Sequence, residues 1–333
     1  MKLFSTTKAT IKTFFVAIIV IAIWYAIFFG YGPKKEQVDS YPHSSLMQFL
    51  PENTDQTKVV AISARDGFLA WVNNISPQPT PFGNQNNFEF FVNDIETGRT
   101  IFNYRFHDDK DILLVAIYKK NAVIHTRDNK LILIDIDKNK VSQVMGAIEN
   151  VALGDGIVTW ITQSTNPNVQ GYATGRTREF DVWLNNFENG TMKLIKRFNN
   201  GNPNTPNVAV SGKKIAVVTY ENKLILIDAN SENVEEIDIP WGYKVDHDSL
   251  LYINNSIIFG VDVGNSFNTT KLVKYDVVKK RFNTITNVTP SFLPPWCYKH
   301  QSINKLKATP QEEIYWTESS IEFCPRNIYR IKP

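Results

Sequence analysis

The residues of this sequence that could do chemistry are a few histidines and the carboxylates beside them. Asp108 follows His107, Asp246 precedes His247, and His300 stands further along the chain. Imidazoles and carboxylates that converge at one place can bind a divalent cation or act as acid and base. The same residue types are common in solvated turns, where an Asp caps and bends the chain. We therefore keep Asp108, Asp246, His247 and His300 as candidates for hydrolysis or lyase chemistry, with the structural interpretation beside them.

Five sequence motifs that are typical of catalysis, metal binding or phosphate binding are absent. The sequence has no HExxH, no paired CxxC, no EF-hand loop, no GxxxxGK[ST] phosphate loop and no GxSxG nucleophile elbow. It therefore predicts neither a bound metal nor a cofactor, and it favours binding over catalysis.

Composition limits the class of protein. The chain has 333 residues, 43% of them hydrophobic and 21% charged, with a formal net charge of +3. Such a chain is too apolar to be disordered and long enough to bury a sizeable core. The small net charge and the lack of basic runs argue against a nucleic-acid partner.

A long apolar segment near the N-terminus predicts a membrane anchor. Residues 13–32 carry no charged side chain, and roughly 20 apolar residues at about 1.5 Å rise span a bilayer core of about 30 Å. The alternative is a cleaved signal peptide, whose apolar region usually has about 7–15 residues and ends at an A-x-A site, which we do not find. We expect 1–12 to be a short cytosolic terminus and 33–57 to be a polar tether whose end is available as a closing strand.

The charges beside this anchor indicate its orientation. Lys2, Lys8 and Lys12 precede it, whereas Lys34 and Lys35 follow it. The positive-inside bias then places the N-terminus in the cytosol. We expect a single-pass protein of the cell membrane whose large domain, residues 58–333, lies outside the cytosol.

The large domain repeats a strand–turn–strand unit. Short runs rich in Val, Ile, Tyr and Phe alternate with clusters of Gly, Asn, Asp and Pro, which is typical of all-β proteins. The hexamer KLILID occurs twice, and the unit recurs about every 45 residues. An Asp or Asn marks the polar turn of each unit, at Asp94, Asp135, Asn186, Asp228 and Asp276. A period near 45 residues with four strands per unit is typical of a propeller blade.

Several segments resemble the repeat of TolB-like six-bladed β-propellers, and one resembles the YWTD variant of that class. They are DGFLAWVNN (66–74) with FEFFVNDIETG (88–98), DGIVTWITQ (155–163) with EFDVWLNNFENG (179–190), and, for the YWTD variant, EEIYWTESS (312–320). The resemblance covers the whole large domain and implies an all-β fold of six four-stranded blades. It implies no active-site residue, because many activities share this scaffold repeat.

In a propeller, the connections between strands B and C of a blade share one face with the connectors between blades. The long inserts of this sequence, rich in Asn, Gln, Gly, Thr and Pro, all fall between strands B and C, at 74–87, 164–178, 264–269 and 319–326. The connectors with the candidate histidines and carboxylates open on the same face, near the axis. Variable loops on a rigid scaffold are where binding usually occurs, although such loops are also tolerated insertions.

Two cysteines and three glycosylation motifs bear on the compartment. Cys297 is expected in the connector into the last blade and Cys324 in the B–C loop of that blade, so the topology allows a disulfide. A disulfide implies an oxidising compartment, whereas two free buried thiols are the alternative. The sequence has five glycosylation motifs, close to the number that chance predicts, and those at Asn189, Asn254 and Asn268 have no Pro directly after them. They matter only outside the cytosol.

The sequence therefore predicts a membrane-anchored, extracytoplasmic six-bladed β-propeller. We expect it to act as a protein-interaction scaffold or an accessory subunit of a membrane or cell-surface assembly. Its expected partners are proteins, and the lipid bilayer through residues 13–32, with no nucleic acid. The alternatives are a propeller enzyme that uses the axial His/Asp funnel and a surface receptor for a carbohydrate or another ligand.

Overall fold

The computed structural model describes most of the chain from residue 36 onward. The described residues are 36–38, 46–75, 86–108, 111–164, 179–200, 206–240, 243–263, 269–287, 302–308, 314–319 and 327–331. Within these ranges, no helix is both long and apolar enough to cross a membrane. The predicted anchor at 13–32 lies outside them.

Strands form the first three sheets in chain order, after two short 3-10 helices at Met47–Phe49 and Gln56–Lys58. Sheet 1 contains β2 (Val59–Arg65), β3 (Phe68–Asn74), β4 (Asn86–Asp94) and β5 (Thr100–Asp108). Sheet 2 contains β6 (Ile112–Tyr118), β7 (Asn121–Thr126), β8 (Lys130–Asp135) and β9 (Lys140–Met145). Sheet 3 contains β10 (Ile148–Leu153), β11 (Ile157–Gln163), β12 (Glu179–Asn186) and β13 (Thr191–Asn199).

The remaining strands form three further sheets. Sheet 4 contains β14 (Asn207–Ser211), β15 (Lys214–Val218), β16 (Lys223–Asp228) and β17 (Val234–Asp238). Sheet 5 contains β18 (Tyr243–Ile253), β19 (Ser256–Val263), β20 (Thr269–Asp276) and β21 (Arg281–Asn287). Sheet 6 contains β22 (Ser302–Ala308), β23 (Ile314–Ser319), β24 (Asn327–Ile331) and β1 (Glu36–Val38).

Each of these sheets is a four-stranded antiparallel meander, and consecutive sheets pack through their first strands. Sheets 1 to 5 keep chain order, and sheet 6 has the order β1-β24-β23-β22. The first strand of each sheet is the neighbour of the first strand of the next, from β2 beside β6 to β18 beside β22. This arrangement of radially repeated four-stranded sheets is a β-propeller. We name the strands of each sheet A to D, from the first strand outward.

The outermost strand of sheet 6 comes from the opposite end of the chain. Strand β1 pairs antiparallel with β24, with Glu36 opposite Arg330 and Val38 opposite Ile328. The closing strand lies at the start of the segment 33–57 rather than at its end. Later in that segment, Leu46, Met47 and Leu50 pack against Leu69 and Trp71, on the face of sheet 1 opposite the one that packs on sheet 2.

The repeated KLILID segments are apolar throughout because both faces of their strands are buried. In β8, Ile132 and Ile134 belong to the core shared with sheet 1, whereas Leu131 and Leu133 belong to the core shared with sheet 3. A strand covered on both faces gives an apolar run rather than an alternation. The core of the protein is therefore a series of layers between neighbouring sheets.

The recurring Asp or Asn of each repeat caps the turn between strands C and D. Its side-chain oxygen accepts a hydrogen bond from a backbone N–H two or three residues on, which is an Asx-turn. The pairs are Asp94 with Thr97, Asp135 with Lys138, Asn186 with Glu188, Asp228 with Asn230 and Ser231, and Asp276 with Val278 and Lys279. Backbone hydrogen bonds lower the pKa of Asp94, Asp228 and Asp276 below the ordinary value. The recurrence of these residues is therefore explained by turn geometry.

A glycine permits close contact between the A–B turns of sheets 3 and 4. The backbone N–H of Asp155 donates to the carbonyl of Gly212 at 2.8 Å. A Cβ on Gly154 would lie 2.2 Å from Cγ1 of Val210 and 2.4 Å from that carbonyl oxygen. Neither neighbour is the free end of a flexible side chain, so the turn requires glycine.

We predict that Gly154→Ala lowers the free energy of unfolding by about 3 kcal/mol, because the added methyl overpacks the junction of two sheets. The matched control is Gly98→Ala, where a Cβ meets open space but φ is +66°, which we expect to cost about 1 kcal/mol. Urea unfolding of both variants measures the difference. Equal losses would contradict the close contact.

We predict that β1 contributes to stability. A chain that begins at residue 34 keeps this strand, whereas one that begins at residue 40 exposes the edge of β24 and loses a few net hydrogen bonds of about 1 kcal/mol each. Both truncations lack the predicted anchor, so they are matched in every other respect. Thermal unfolding should show a lower midpoint and more aggregation for the shorter chain. Identical melting curves would contradict the role of β1.

Candidate functional site

The two faces of the propeller differ in the connections that they carry. We call the loop face the end where strand B passes to strand C and where one sheet connects to the next. We call the turn face the end with the A–B and C–D turns. The long B–C connections of sheets 1, 3, 5 and 6 begin after β3, β11, β19 and β23, all on the loop face. Most of their residues lie outside the described ranges.

Asp108, a candidate catalytic residue, is buried in an ion pair between sheets 1 and 2. It is the last residue of β5, and its side chain is 0% exposed. The Nζ atom of Lys130, at the start of β8, donates to its Oδ2 at 2.6 Å, and the Lys130 side chain is 15% exposed. Burial lowers the pKa of Lys130, but the hydrogen bond and charge of Asp108, with a further contribution from Asp128, outweigh it and raise that pKa.

A corresponding contact between sheets 3 and 4 indicates a structural role for this pair. Asn200 directly follows β13, as Asp108 ends β5, and it is 0% exposed. Its Oδ1 accepts from the backbone N–H of Tyr220, in the B–C turn of sheet 4, at 2.9 Å. In both places, a polar residue at or just after the end of strand D forms a hydrogen bond at the junction of strands B and C of the next sheet.

Asp246 and His247 lie within the innermost strand of sheet 5, where sequence analysis expected a connector. The register of β18 against β19 shifts between Val245 and Leu250, so residues 246–249 form a wide bulge opposite Gly260. Within it, Ser249 Oγ accepts from the Gly260 N–H at 2.8 Å. Asp108 ends an outermost strand, so it and this bulge lie at different distances from the axis. His300 lies outside the described residues.

The other predicted sites are described only in part. Asn189 and Asn254 are exposed on the turn face, and Asn189 Oδ1 accepts from the Thr191 hydroxyl at 2.6 Å. Cys297, Cys324 and Asn268 lie outside the described ranges, so the disulfide and the third glycosylation motif stay predictions. In the part of the chain that is described, no group of three or more His, Cys, Asp or Glu residues could hold a metal ion.

One buried imidazole was not identified from the sequence. His125 is 3% exposed on β7, and its Nε2 atom has no hydrogen-bond partner among the residues that the structure describes. Burial lowers its pKa, although a backbone hydrogen bond with Ile148 and the charge of Asp128 act in the opposite direction. The only sequence signal is its place in the otherwise buried run AVIHT, which is typical of a core residue.

A cleft opens between the outer parts of sheets 2 and 3. It runs from the loop face, at Gly146 and Gln163, toward the C–D turn of sheet 3, beside which Met192 lies. It has a volume of about 300 Å³, which is near the lower end of ligand pockets. One wall is the end of β9 and the connector to sheet 3, including Met145 and Gly146. The other wall belongs to sheet 3 and includes Thr162, Trp183 and Met192. We call it the Trp183 cleft.

Hydrogen bonds fix Trp183 in the wall of this cleft. Its indole Nε1 donates to Thr162 Oγ1 at 3.0 Å, and its carbonyl accepts from Thr159 Oγ1 at 2.7 Å. The residue is half-buried, whereas Trp160, its partner across the strands, is 2% exposed. Trp71 occupies the corresponding strand of sheet 1 and is also 2% exposed, so the strand-B tryptophan is a core residue in both sheets.

The rim of the Trp183 cleft exposes large apolar side chains. Met145 is 62% exposed and Met192 is 53% exposed. Leu194, opposite Trp183 in the register, is 40% exposed. Flexible methionine and rigid tryptophan are side chains that protein-binding surfaces often use. The sequence analysis did not identify these exposed apolar residues as one surface, because Met145 and Met192 are far apart in sequence.

The polar end of the cleft is part of the scaffold. Asp181 accepts from Arg197 Nε at 2.7 Å and from Arg197 Nη2 at 2.9 Å. The same cross-strand pair recurs in sheet 1, where Arg105 Nε donates to Glu89 at 2.8 Å. A paired carboxylate that recurs between sheets is explained by the repeat. The cleft therefore offers apolar contact more than charge.

Comparisons with known proteins support the fold and no activity. No protein-family model matches the sequence, and no curated protein matches it. Among solved structures, the tricorn protease has a TM-score of 0.51 at 11% identity, covering 80% of this chain and 30% of the protease.

Two propeller structures are also similar. The Dos1 propeller has a TM-score of 0.46 at 11% identity, covering 81% of this chain and 67% of that chain. The β-propeller domain of the Trilobed protease from Pyrococcus furiosus has a TM-score of 0.46 at 10% identity, covering 82% and 94%. At such identities the likeness concerns the fold alone.

We predict that Asp108→Asn destabilises the protein by about 3 kcal/mol, because it removes the nearer and fully buried of the two carboxylates that pair with Lys130, leaving Asp128 at 3.7 Å. The double variant Asp108→Leu with Lys130→Met should lose less than either single change, since it removes both charges. Urea unfolding of the set measures the coupling. A stable Asp108→Asn protein would contradict the structural role and return Asp108 to the catalytic candidates.

Proposed function

We propose that this chain is a membrane-anchored protein-interaction scaffold or accessory subunit that binds a protein partner through its loop face. The observation that carries the proposal is the Trp183 cleft with its exposed methionines. Propeller scaffolds host many functions, so the argument depends on this site rather than on the fold. An apolar cleft rimmed by Met and Trp fits an apolar side chain of a partner protein.

Several finer features belong to the same proposal. We infer that the sheets are six blades, closed by β1 as the outer strand of the last one. The TolB-like kinship is supported by the segments that resemble that repeat, which coincide with strands B and C of sheets 1 and 3. The anchor is supported by the uncharged run at 13–32, and the extracytoplasmic location by the lysines before it.

The test uses the full-length protein, purified through a C-terminal tag from its own membranes in mild detergent. We expect it in a stoichiometric complex that Met145→Gln with Met192→Gln weakens about tenfold or more, since each change removes apolar contact worth roughly 1 kcal/mol. Both side chains are largely exposed, so the substitutions should leave the fold intact.

The matched control is Val278→Ser, which removes an exposed apolar side chain from the turn face. We expect it to leave the complex unchanged. Recovery of the wild-type protein as a lone chain would contradict the scaffold proposal. A complex that both variants retain would contradict the assignment of the Trp183 cleft.

A further inference from the structure

The direction of β1 determines which end of the propeller the chain enters first. Strand β24 begins at Asn327 after the B–C connection, so it runs from the loop face to the turn face. Its last residue is Ile331, and Glu36 pairs with Arg330, one residue earlier. The antiparallel strand β1 therefore starts near the turn face and runs toward the loop face.

The distance from the predicted anchor to this entry point is short. From residue 32 to Glu36 there are four Cα–Cα steps, which reach at most about 14 Å when fully extended. Part of that reach is needed to cross the headgroup layer outside the hydrocarbon core. Glu36 must therefore lie close to the membrane surface if residues 13–32 span a bilayer.

This reach is too short for the loop face to lie on the membrane. The C strands of the sheets that flank sheet 6 are β20, with eight residues, and β4, with nine. At about 3.3 Å per residue, their loop-face ends lie roughly 25 Å from their turn-face ends. With the loop face on the bilayer, Glu36 would stand farther away than its connection to the anchor allows.

We propose that the turn face of the propeller faces the lipid surface and that the loop face, with the end of the Trp183 cleft that Met145 and Gly146 line, points away from it. This inference rests on the membrane anchoring in the proposed function. It makes the loop face accessible to partners in solution or on another surface. A partner confined to the same bilayer could reach only the turn face or the side of the propeller.

The side chains near the entry point suit a lipid surface. The C–D turn of sheet 5, next to sheet 6, contains Val278, which is 71% exposed. Lys279, Lys280 and Arg281 follow it directly. An exposed apolar side chain flanked by basic residues is typical of contact with anionic headgroups. The ion pairs of Lys279 with Asp276 and of Lys280 with Glu235 are solvent-exposed, so both lysines can still approach headgroups.

The orientation can be measured with fluorophores on the full-length protein reconstituted in vesicles. One label replaces Val278 on the turn face, and a second replaces Glu221, an exposed residue in a B–C turn on the loop face. Each is introduced as a non-canonical amino acid, so that Cys297 and Cys324 stay unchanged. Energy transfer to a headgroup acceptor lipid then reports the distance of each label from the membrane.

We expect the label at 278 to lie nearer to the headgroups than the label at 221, by about 25 Å, the height of the strands. As a control, twelve Gly-Ser residues inserted after Lys35 should reduce this difference, because a flexible linker adds a root-mean-square reach of about 19 Å. A label at 221 that lies as near as the label at 278, or nearer, would overturn the orientation.

Failure of the anchor gives a different result. If the full-length protein does not float with the vesicles, residues 13–32 do not insert, and this result contradicts both the proposed anchoring and the proposed orientation. If the protein floats but the label at 221 is nearer to the headgroups than the label at 278, the result supports the anchoring and contradicts only the orientation.

Discussion

The structure depends on one interaction between the two ends of the chain, the pairing of β1 with β24. Among the described strands, every other sheet is built from consecutive strands, and the pairing of β1 with β24 is the one that joins distant parts of the sequence in one sheet. It completes the last sheet, and the segment that follows β1 packs on the face of sheet 1 opposite sheet 2. Strand β1 begins four residues after the predicted anchor, so under the proposed anchoring the same pairing would join the propeller to the membrane segment.

Features that recur in several sheets belong to the scaffold, whereas features of a single sheet are candidates for a functional site. The capping Asp or Asn of the C–D turns, the polar residue that ends an outer strand, and the acid–arginine pair of strands C and D each occur in more than one sheet. A residue type that a repeat position requires is explained by the repeat. Strand A also shifts its register against strand B in sheets 1, 2, 3 and 6, but the bulge at 246–249 is the longest of these shifts among the described residues. This bulge and the apolar rim of the Trp183 cleft are where a specific activity is best sought.

The sequence was enough to predict the local features of the fold. The capping residues and the KLILID strands follow from short-range turn geometry and burial, and both were predicted at the right positions. Features set by long-range contacts were missed. The partner of Asp108 is 22 residues away, and Met145 and Trp183 line one cleft only because two sheets pack. Strand β1 pairs with β24, which lies almost 300 residues further along the chain. The sequence analysis placed Asp246 and His247 in a connector, because it did not predict that β18 begins before the bulge.

Hydrogen exchange of the full-length protein in detergent tests the central pairing most directly. The account predicts that amides of residues 328–330 are protected as strongly as those of β23, because their strand is paired on both sides. Peptides from an outer strand with one free edge, such as β9, supply the reference for an unpaired edge. Exchange at 328–330 as fast as at such an edge would contradict the account.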